Sequence, residues 1–390
     1  MPHICFVAPS AWPLLSGDRH SDVVGGAEVQ QALLARGLAR RGYRVSMICM
    51  DHGQPDAVTI DGITVLKCHA PVEGLPVVRF FHPRLTGIWS AMRRADADIY
   101  YQRTAGAVTG IVGLFARCYG RRFVYAAAAD LDLTRNETWK EFQRRAGWRD
   151  RQLYFLGLGL ADAIVAQTPK QQRDCLHWWG RHAALIRSAY AGVDEPCADP
   201  DGVVLWVSAL RRAKRPELFL ELARRLPRFR FRMIGGVSAE KDGQEFFADI
   251  ARRAKDIPNL EFVGFVPYAE IEEHFAAARL FVNTSDGEGF PNTFLQSWAR
   301  GVPTVSFVDT GSTVDRRPVV NVVTDLDEMT ARVDALMSDD ACWRRSGHTS
   351  RTCYERFHTT DSVLQAYERL FDGVALSSPD AVASAAVERC

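Results

Sequence analysis

The sequence has no run of about 18 apolar residues, the length a membrane-spanning helix requires. Its nearest approach, Leu153–Val165, is short and interrupted by glycine. It has no C-x-x-C, and its nine cysteines are odd in number and scattered. They therefore read as neither a zinc site nor a disulfide framework, and a reducing compartment is expected. The start, MPHICFVAPSAW, lacks the basic residues and long apolar stretch of a secretory leader. An excess of one charge is also missing: 48 Lys and Arg face 47 Asp and Glu. No nucleic-acid partner is implied. There is no H-x-x-H or H-E-x-x-H for a zinc hydrolase and no G-x-S-x-G elbow for an esterase. A nicotinamide oxidoreductase would carry G-x-G-x-x-G after a strand, with an acid about 20 residues on. That turn is absent too.

What remains is an ordinary globular composition, 47% hydrophobic and 24% charged, in 390 residues. This length fits two domains. Short apolar strands alternate with longer helical stretches, the pattern of α/β sheets. Strands are expected at His3–Ala8, Arg44–Met50, Ile99–Gln102, Phe123–Ala126 and Ala163–Ala166. A hairpin is expected around Asp61-Gly62. Gly25-Gly26 leads into a helix Ala27–Arg41, with Val29, Leu33 and Leu38 as its apolar stripe. A second cycle follows the acidic, Pro-containing stretch Asp194–Gly202, with strands at Val203–Val207, Phe231–Ile234, Leu260–Val263, Leu280–Asn283 and Thr304–Phe307. The expected domains are therefore 1–195 and 196–355. A C-terminal helix, 356–373, is expected to cross back to the first domain, and 374–390 to form a loose tail.

The most informative stretch is Asn283–Pro303, NTSDGEGFPNTFLQSWARGVP. A strand ends at Asn283, a polar Gly-rich loop follows, and Pro291 opens a helix that should stop at Gly301. Free backbone N–H groups in such a unit suit a phosphate or a sugar hydroxyl. Glu288 can accept hydrogen bonds from hydroxyls. Asn292 and Gln296 share a helix face, while Phe294 and Trp298 suit the core. A second segment, VVLWVSALRRAKRP, places a basic loop with Lys214 between a strand and a helix start, a natural diphosphate clamp.

These segments resemble the retaining GT-B glycosyltransferases of the large group 1 or family 4 type. The E-x7-E motif of that family falls on Glu288 and Gln296, with EGFPN and ARGVP around it. The resemblance implies two Rossmann-like α/β domains facing a cleft, a nucleotide-sugar donor in the C-terminal one, and no metal or other cofactor. It gives Glu288 to the donor sugar and Lys214 to the diphosphate. The backbone at Gly289, Phe290 and Asn292, with Thr293 beside it, goes to hydroxyls and phosphate. The second Glu of the motif, which binds the ribose diol, is replaced by Gln296. The G-R pair expected five residues before the Lys is replaced by Ser208-Ala209, so Arg211 or Arg212 is the substitute cation. Gly25 and Gly26 match a Gly-rich loop that closes on the donor phosphates. Gly235, next to Gly236, together with Phe265 and Val266, matches turns near the nucleotide. A His that follows the strand near residue 125 in the family is missing, leaving Asp130 and Asp132 for a polar role on the acceptor side.

The function implied is transfer of a sugar from a UDP- or GDP-linked donor to a glycan, lipid-linked or small-molecule acceptor, with retention of configuration. The usual setting is polysaccharide assembly in the cytoplasm. Two alternatives stand beside it: a catalytically silent GT-B protein that only binds nucleotide, and a nicotinamide-dependent oxidoreductase. Asp130-Leu131-Asp132 also has the form of a metal-holding D-x-D, but the repeated α/β cycle argues against the fold that uses one. Aromatic and arginine residues across Trp139–Tyr154 could lie on an anionic membrane face.

Overall fold

The structure, a computed structural model, describes residues 1–17, 25–74, 79–135, 147–193, 202–238, 240, 242–267 and 270–376. The chain forms two compact units. One is Met1–Ser188 with the C-terminal segment from Thr360, and the other is Ala189–Thr359. The division falls ahead of the acidic stretch at which the sequence placed it, and 194–201 lie outside the described residues.

The first unit is built on eight strands: β1 (Ile4–Val7), β2 (Val45–Cys49), β3 (Ala57–Ile60), β4 (Ile63–Lys67), β5 (Ile99–Arg103), β6 (Arg122–Ala126), β7 (Ala163–Ala166) and β8 (Ala184–Leu185). Their order is β3-β4-β2-β1-β5-β6-β7-β8. All pairings are parallel except β3 with β4, the hairpin turned by Asp61 and Gly62 at φ 50° and 79°. β1, β2 and β5 are buried along their whole length, as parallel strands covered on both faces must be.

The helix Gly26–Arg40 departs from the expected stripe. Its buried residues are Gln30, Gln31, Ala32, Leu34, Ala35, Gly37 and Leu38; Val29 and Leu33 are half-buried. Two glutamines take places that periodicity reserves for apolar side chains, and Gly37 is where Leu364 of the C-terminal helix packs. That helix runs Thr360–Leu376 and belongs to the first unit. The hydroxyls of Tyr101 and Tyr367 lie 3.1 Å apart, and Arg41 Nη1 meets Glu368 Oε2 at 2.5 Å. The helix starts after residue 356 because Asp340–Phe357 is a helix of its own. Val374, expected in the tail, is buried within it; 377–390 lie outside the described residues.

The second unit carries β9 (Val203–Val207), β10 (Phe231–Ile234), β11 (Leu260–Gly264), β12 (Ala278–Asn283), β13 (Thr304–Ser306) and β16 (Val320–Val322), with a small ribbon β14–β15 (Thr313–Val314, Arg317–Pro318) between the last two. The six-stranded sheet has the order β11-β10-β9-β12-β13-β16 and is parallel throughout. Alternation along β9 divides two cores. Val204 and Trp206 join Phe219, Met233, Leu280 and Val282 on one face. Val203 and Leu205 join Phe281, Phe294 and Trp298 on the other. Both faces are apolar because both are covered, the doubly wound arrangement.

Helices Ala107–Cys118 and Trp148–Leu160 touch backbone to backbone. A Cβ on Gly110 would lie 2.3 Å from the Leu153 carbonyl oxygen, and one on Gly157 would lie 2.3 Å from Thr109 C and O. Gly157→Ala must therefore part the two helices. It is expected to lower the unfolding free energy of the first unit by about 1–3 kcal/mol, read by urea denaturation. A stability equal to wild type would show that the contact is not close.

Candidate active site

Open α/β sheets bind ligands where the strand order reverses, at the carboxyl ends of the strands. In the C-terminal unit the reversal lies between β9 and β12: the chain goes from β9 to β10 on one side and returns at β12 on the other. The loops after these two strands are the segments that sequence singled out. Backbone groups fasten them together, with the Asp286 amide donating to the Ala213 carbonyl at 2.9 Å. Thr284 Oγ1 donates to the Lys214 carbonyl at 2.7 Å and accepts from Trp206 Nε1 at 3.0 Å. Asn283 Oδ1 accepts the Ser285 amide at 3.0 Å. Arg215, at φ 48°, turns the first loop into its helix and pairs with Asp286 at 3.0 Å.

On this frame Lys214 and Glu288 meet as an ion pair. Glu288 Oε1 also accepts from Ser285 Oγ at 2.9 Å. Both side chains keep about a fifth of their surface exposed, 20% for Lys214 and 18% for Glu288. The pair is shielded but reachable, so a ligand can compete for either charge.

The neighbouring turns close the same edge. A Cβ on Gly235 would lie 2.1 Å from the Ser208 carbonyl oxygen, so only glycine fits beside the β9 loop. A Cβ on Gly236 would lie 2.9 Å from Phe265 Cδ2, and that side chain is 48% exposed; Val266 is half-buried. Phe290 is buried against the rings of Trp298 and His358, with centroids 5.8 and 5.0 Å away. Gly289 is buried, and Asn292 and Thr293 are half-buried at the start of the helix Asn292–Trp298. That helix ends before Gly301.

Two expected residues lie apart from the pair. Arg212 is largely exposed and holds Asp242 at 2.7 Å while covering Phe246. Its charge is matched there rather than beside Lys214. Gln296 is buried and donates from Nε2 to Glu272 Oε1 at 3.1 Å. Glu272 in turn receives Arg300 at 2.6 Å and the Tyr190 hydroxyl at 2.5 Å.

In the N-terminal unit, Gly25 precedes the helix Gly26–Arg40, and the Glu28 carboxylate occupies the space a Gly25 Cβ would need. Asp130 pairs with Lys170 at 3.3 Å and accepts from Gln171 at 3.1 Å. Asp132 is buried and accepts the amides of Ala128 and Ala129 at 2.7 and 3.1 Å, folding the loop after β6. Neither lines the cavity of about 380 Å³ at this unit's own reversal, between β1 and β5. Among the described residues no three His, Cys, Asp or Glu side chains gather for a metal ion. Sequence reasoning missed Ser285 and Thr284, which sit in plain view inside the motif. Nor does the sequence show that Arg103 and Gln31 line the cavity of the N-terminal unit.

The chain resembles known proteins along most of its length. The profile described as Glycosyl transferases group 1 matches residues 201–339, and that of Glycosyltransferase Family 4 matches residues 24–195. The chain belongs to the group 1 / family 4 glycosyltransferases. A D-inositol 3-phosphate glycosyltransferase of Gordonia bronchialis is 25% identical, over 93% of this chain and 88% of its own. Sucrose-phosphate synthase from Thermosynechococcus elongatus shares the fold with a TM-score of 0.72 at 16% identity, over 97% of this chain and all of its own. Anabaena HepE, solved in complex with UDP-glucose, does so with a TM-score of 0.69 at 16% identity, over 95% of this chain. The two Rossmann-like α/β units are those of the GT-B fold, and the chain is a glycosyltransferase.

Burial pushes the Asp132 carboxyl above its ordinary range, against the amides of Ala128, Ala129 and Ala105, which pull it down. A carboxyl raised in the folded state is fully stabilising below the unfolded value, about 3.9, and loses that contribution as pH rises through the folded pKa. Asp132→Asn keeps the acceptor oxygen and removes the titration. The stability difference between variant and wild type should therefore move in the variant's favour as pH rises above about 4, by denaturation at each pH. A pH-independent difference would contradict this.

Proposed function

We propose that this glycosyltransferase moves a sugar from a nucleotide diphosphate donor to a glycan, lipid-linked or small-molecule acceptor, with retention of configuration and without a metal. The observation that carries the reading is the Lys214–Glu288 pair at the reversal between β9 and β12. In the free protein each charge is the other's partner. A donor offers a better division: its diphosphate to the Lys214 ammonium, a sugar hydroxyl to Glu288, with Ser285 still holding one carboxylate oxygen. Lys214 and the loop amides then stabilise the charge that develops on the departing diphosphate, which is the main catalytic term where no metal supplies it. Glu288 orients the sugar rather than attacking it.

The remaining assignments rest on the resemblance. The backbone from Gly289 to Asn292, with Thr293, faces hydroxyls and phosphate; Gly235, Phe265 and Val266 face the nucleotide; Gly25 and Gly26 face the donor phosphates. Gln296 has its amide nitrogen committed to Glu272, so a ribose diol would meet Oε1. UDP is favoured over GDP by the neighbours solved with UDP or UDP-glucose. The setting is cytoplasmic polysaccharide or glycoconjugate assembly. No helix among the described residues is long and apolar enough to cross a membrane. For contact with a membrane face, the stretch Trp139–Tyr154 contributes Trp148, which is 71% exposed; 136–146 lie outside the described residues.

Glu288→Ala should lower turnover at least about a hundredfold, the scale of losing one oriented group at the reacting centre, while its unfolding curve stays close to wild type. Near-normal turnover would remove Glu288 from the site. Lys214→Met should weaken UDP binding about tenfold, or 1.4 kcal/mol, by titration calorimetry with chelator present. Unchanged affinity would take Lys214 out of the clamp. Binding that appears only when a divalent ion is restored would overturn the metal-free reading.

A further inference from the structure

Gln296 stands where the second carboxylate of the motif is expected. A carboxamide carries donors at one end of its head and an acceptor at the other, so either end can be turned toward a ligand. Its surroundings decide which. Three side chains converge on Glu272, in the first turn of the helix Ile271–Ala276. Arg300 Nη2 meets Glu272 Oε2 at 2.6 Å, and the Tyr190 hydroxyl donates to the same oxygen at 2.5 Å. Gln296 Nε2 donates to Glu272 Oε1 at 3.1 Å. Arg300 Nη1 also donates to the Gln296 carbonyl at 3.1 Å and to the Tyr190 hydroxyl at 3.3 Å. The four residues are one network, and all of them belong to the second unit.

In this network the charge sits on one residue and the open acceptor on another. Paired with Arg300, the Glu272 carboxylate has only acceptors to offer. Turned the other way, Gln296 would set its carbonyl oxygen against that carboxylate. It would also lose a hydrogen bond in a buried place, where water does little to replace it. The amide nitrogen is therefore committed and Oε1 points away from Glu272. Gln296 Oε1 has no partner among the described residues, yet it is not one of the side-chain atoms sealed from solvent without a bond. Donation from Nε2 to a carboxylate polarises the amide and makes its oxygen a better acceptor.

We infer that Glu272 is a positioning residue for the nucleotide, acting through Gln296. By holding Nε2 it makes Gln296 present an acceptor, which is what the missing carboxylate would have presented, and Tyr190 and Arg300 fix Glu272 for that task. Only the ribose diol comes from the donor reading, on which this role therefore rests; the orientation of the amide comes from the network alone. Gln296→Glu restores the motif and should nonetheless harm the site, because the new carboxylate would face Glu272 with one arginine to share. Exchanging the two residues, Glu272→Gln together with Gln296→Glu, removes the conflict. The amide at 272 then donates to the carboxylate at 296, whose second oxygen takes the place of Gln296 Oε1. Arg300 and Tyr190 still find an acceptor in the amide carbonyl.

The test titrates the full chain with UDP and with dideoxy-UDP, which lacks the ribose diol, by calorimetry, and records an unfolding curve for each variant. Wild type should hold UDP at least about tenfold more tightly than dideoxy-UDP, since a site built for hydroxyls penalises their loss. Glu272→Gln should abolish most of that preference and leave the affinity for dideoxy-UDP as in wild type. Gln296→Glu should weaken UDP, and the exchanged pair should recover both the affinity and the preference. Any of three results overturns the inference: Glu272→Gln keeping the preference or weakening both nucleotides equally, Gln296→Glu binding UDP as tightly as wild type, or the exchanged pair doing no better than Gln296→Glu. Should Glu272→Gln alone not fold, Gln296→Glu and the exchanged pair decide. Wild type binding the two nucleotides alike would defeat the inference and leave the donor reading standing. GDP and dideoxy-GDP replace the uracil nucleotides if wild type binds GDP instead, and a wild type that binds neither UDP nor GDP defeats the donor reading and this role with it.

Discussion

The hydrogen bond from the Asp286 amide to the Ala213 carbonyl joins two loops that are more than seventy residues apart in sequence. Everything chemical in the C-terminal unit hangs on that junction. β9 and β12 are neighbours in the sheet, so their ends lie side by side, but neighbouring strands do not by themselves make their loops meet. The meeting is enforced by backbone and by Thr284, whose hydroxyl joins the Lys214 carbonyl to the indole of Trp206. Trp206 is buried in one core, so the position of Lys214 is tied to a packed interior rather than to other surface groups. Lys214 and Glu288 then face one another on a frame that neither of them has to hold up.

On the proposed reading, this arrangement would suit the pair to a diphosphate. A lone buried lysine would lose its charge and a lone buried carboxylate would gain a proton, because desolvation disfavours the charged form of either. Lys214 and Glu288 are instead paired and partly exposed. Donor binding as proposed would exchange one ion partner for another, with a smaller net desolvation than in filling an uncharged site. Ser285 keeps Glu288 in place through the exchange, since its bond does not depend on Lys214.

Much of the fold was legible because parallel strands buried on both faces leave apolar runs that stand out. Val203–Val207 and Ala163–Ala166 match to the residue. The Asp61-Gly62 turn was legible because its backbone requires residues that tolerate positive φ. The motif around Glu288 was legible because glycine, proline and a carboxylate crowd into one loop. The helix Gly26–Arg40 was misread at its buried face for the opposite reason: Gln30 and Gln31 are polar, and periodicity has no means of telling a solvent-facing glutamine from one lining a cavity. The pairing of Arg212 was hidden because its partner, Asp242, comes from another loop. Sequence distance hides such pairings, and a basic loop looks the same whether its charges point at a ligand or at the protein.

Gln296 shows how a substitution can be absorbed. A carboxylate at that position, four residues into a helix and buried, would lie against Glu272, itself held by Arg300 and Tyr190. Two carboxylates sharing one arginine would repel, and one would have to take up a proton. The amide removes the conflict by donating a hydrogen bond where a second Glu would have placed another charge. The Arg300–Glu272 pair is then electrically complete, and the helix Asn292–Trp298 is anchored through Gln296 as well as through Phe294 and Trp298 in the core. The loop carrying Glu288 runs directly into that helix. The substitution thus leaves the backbone of the site fixed and shifts any demand for a ribose-binding carboxylate away from residue 296.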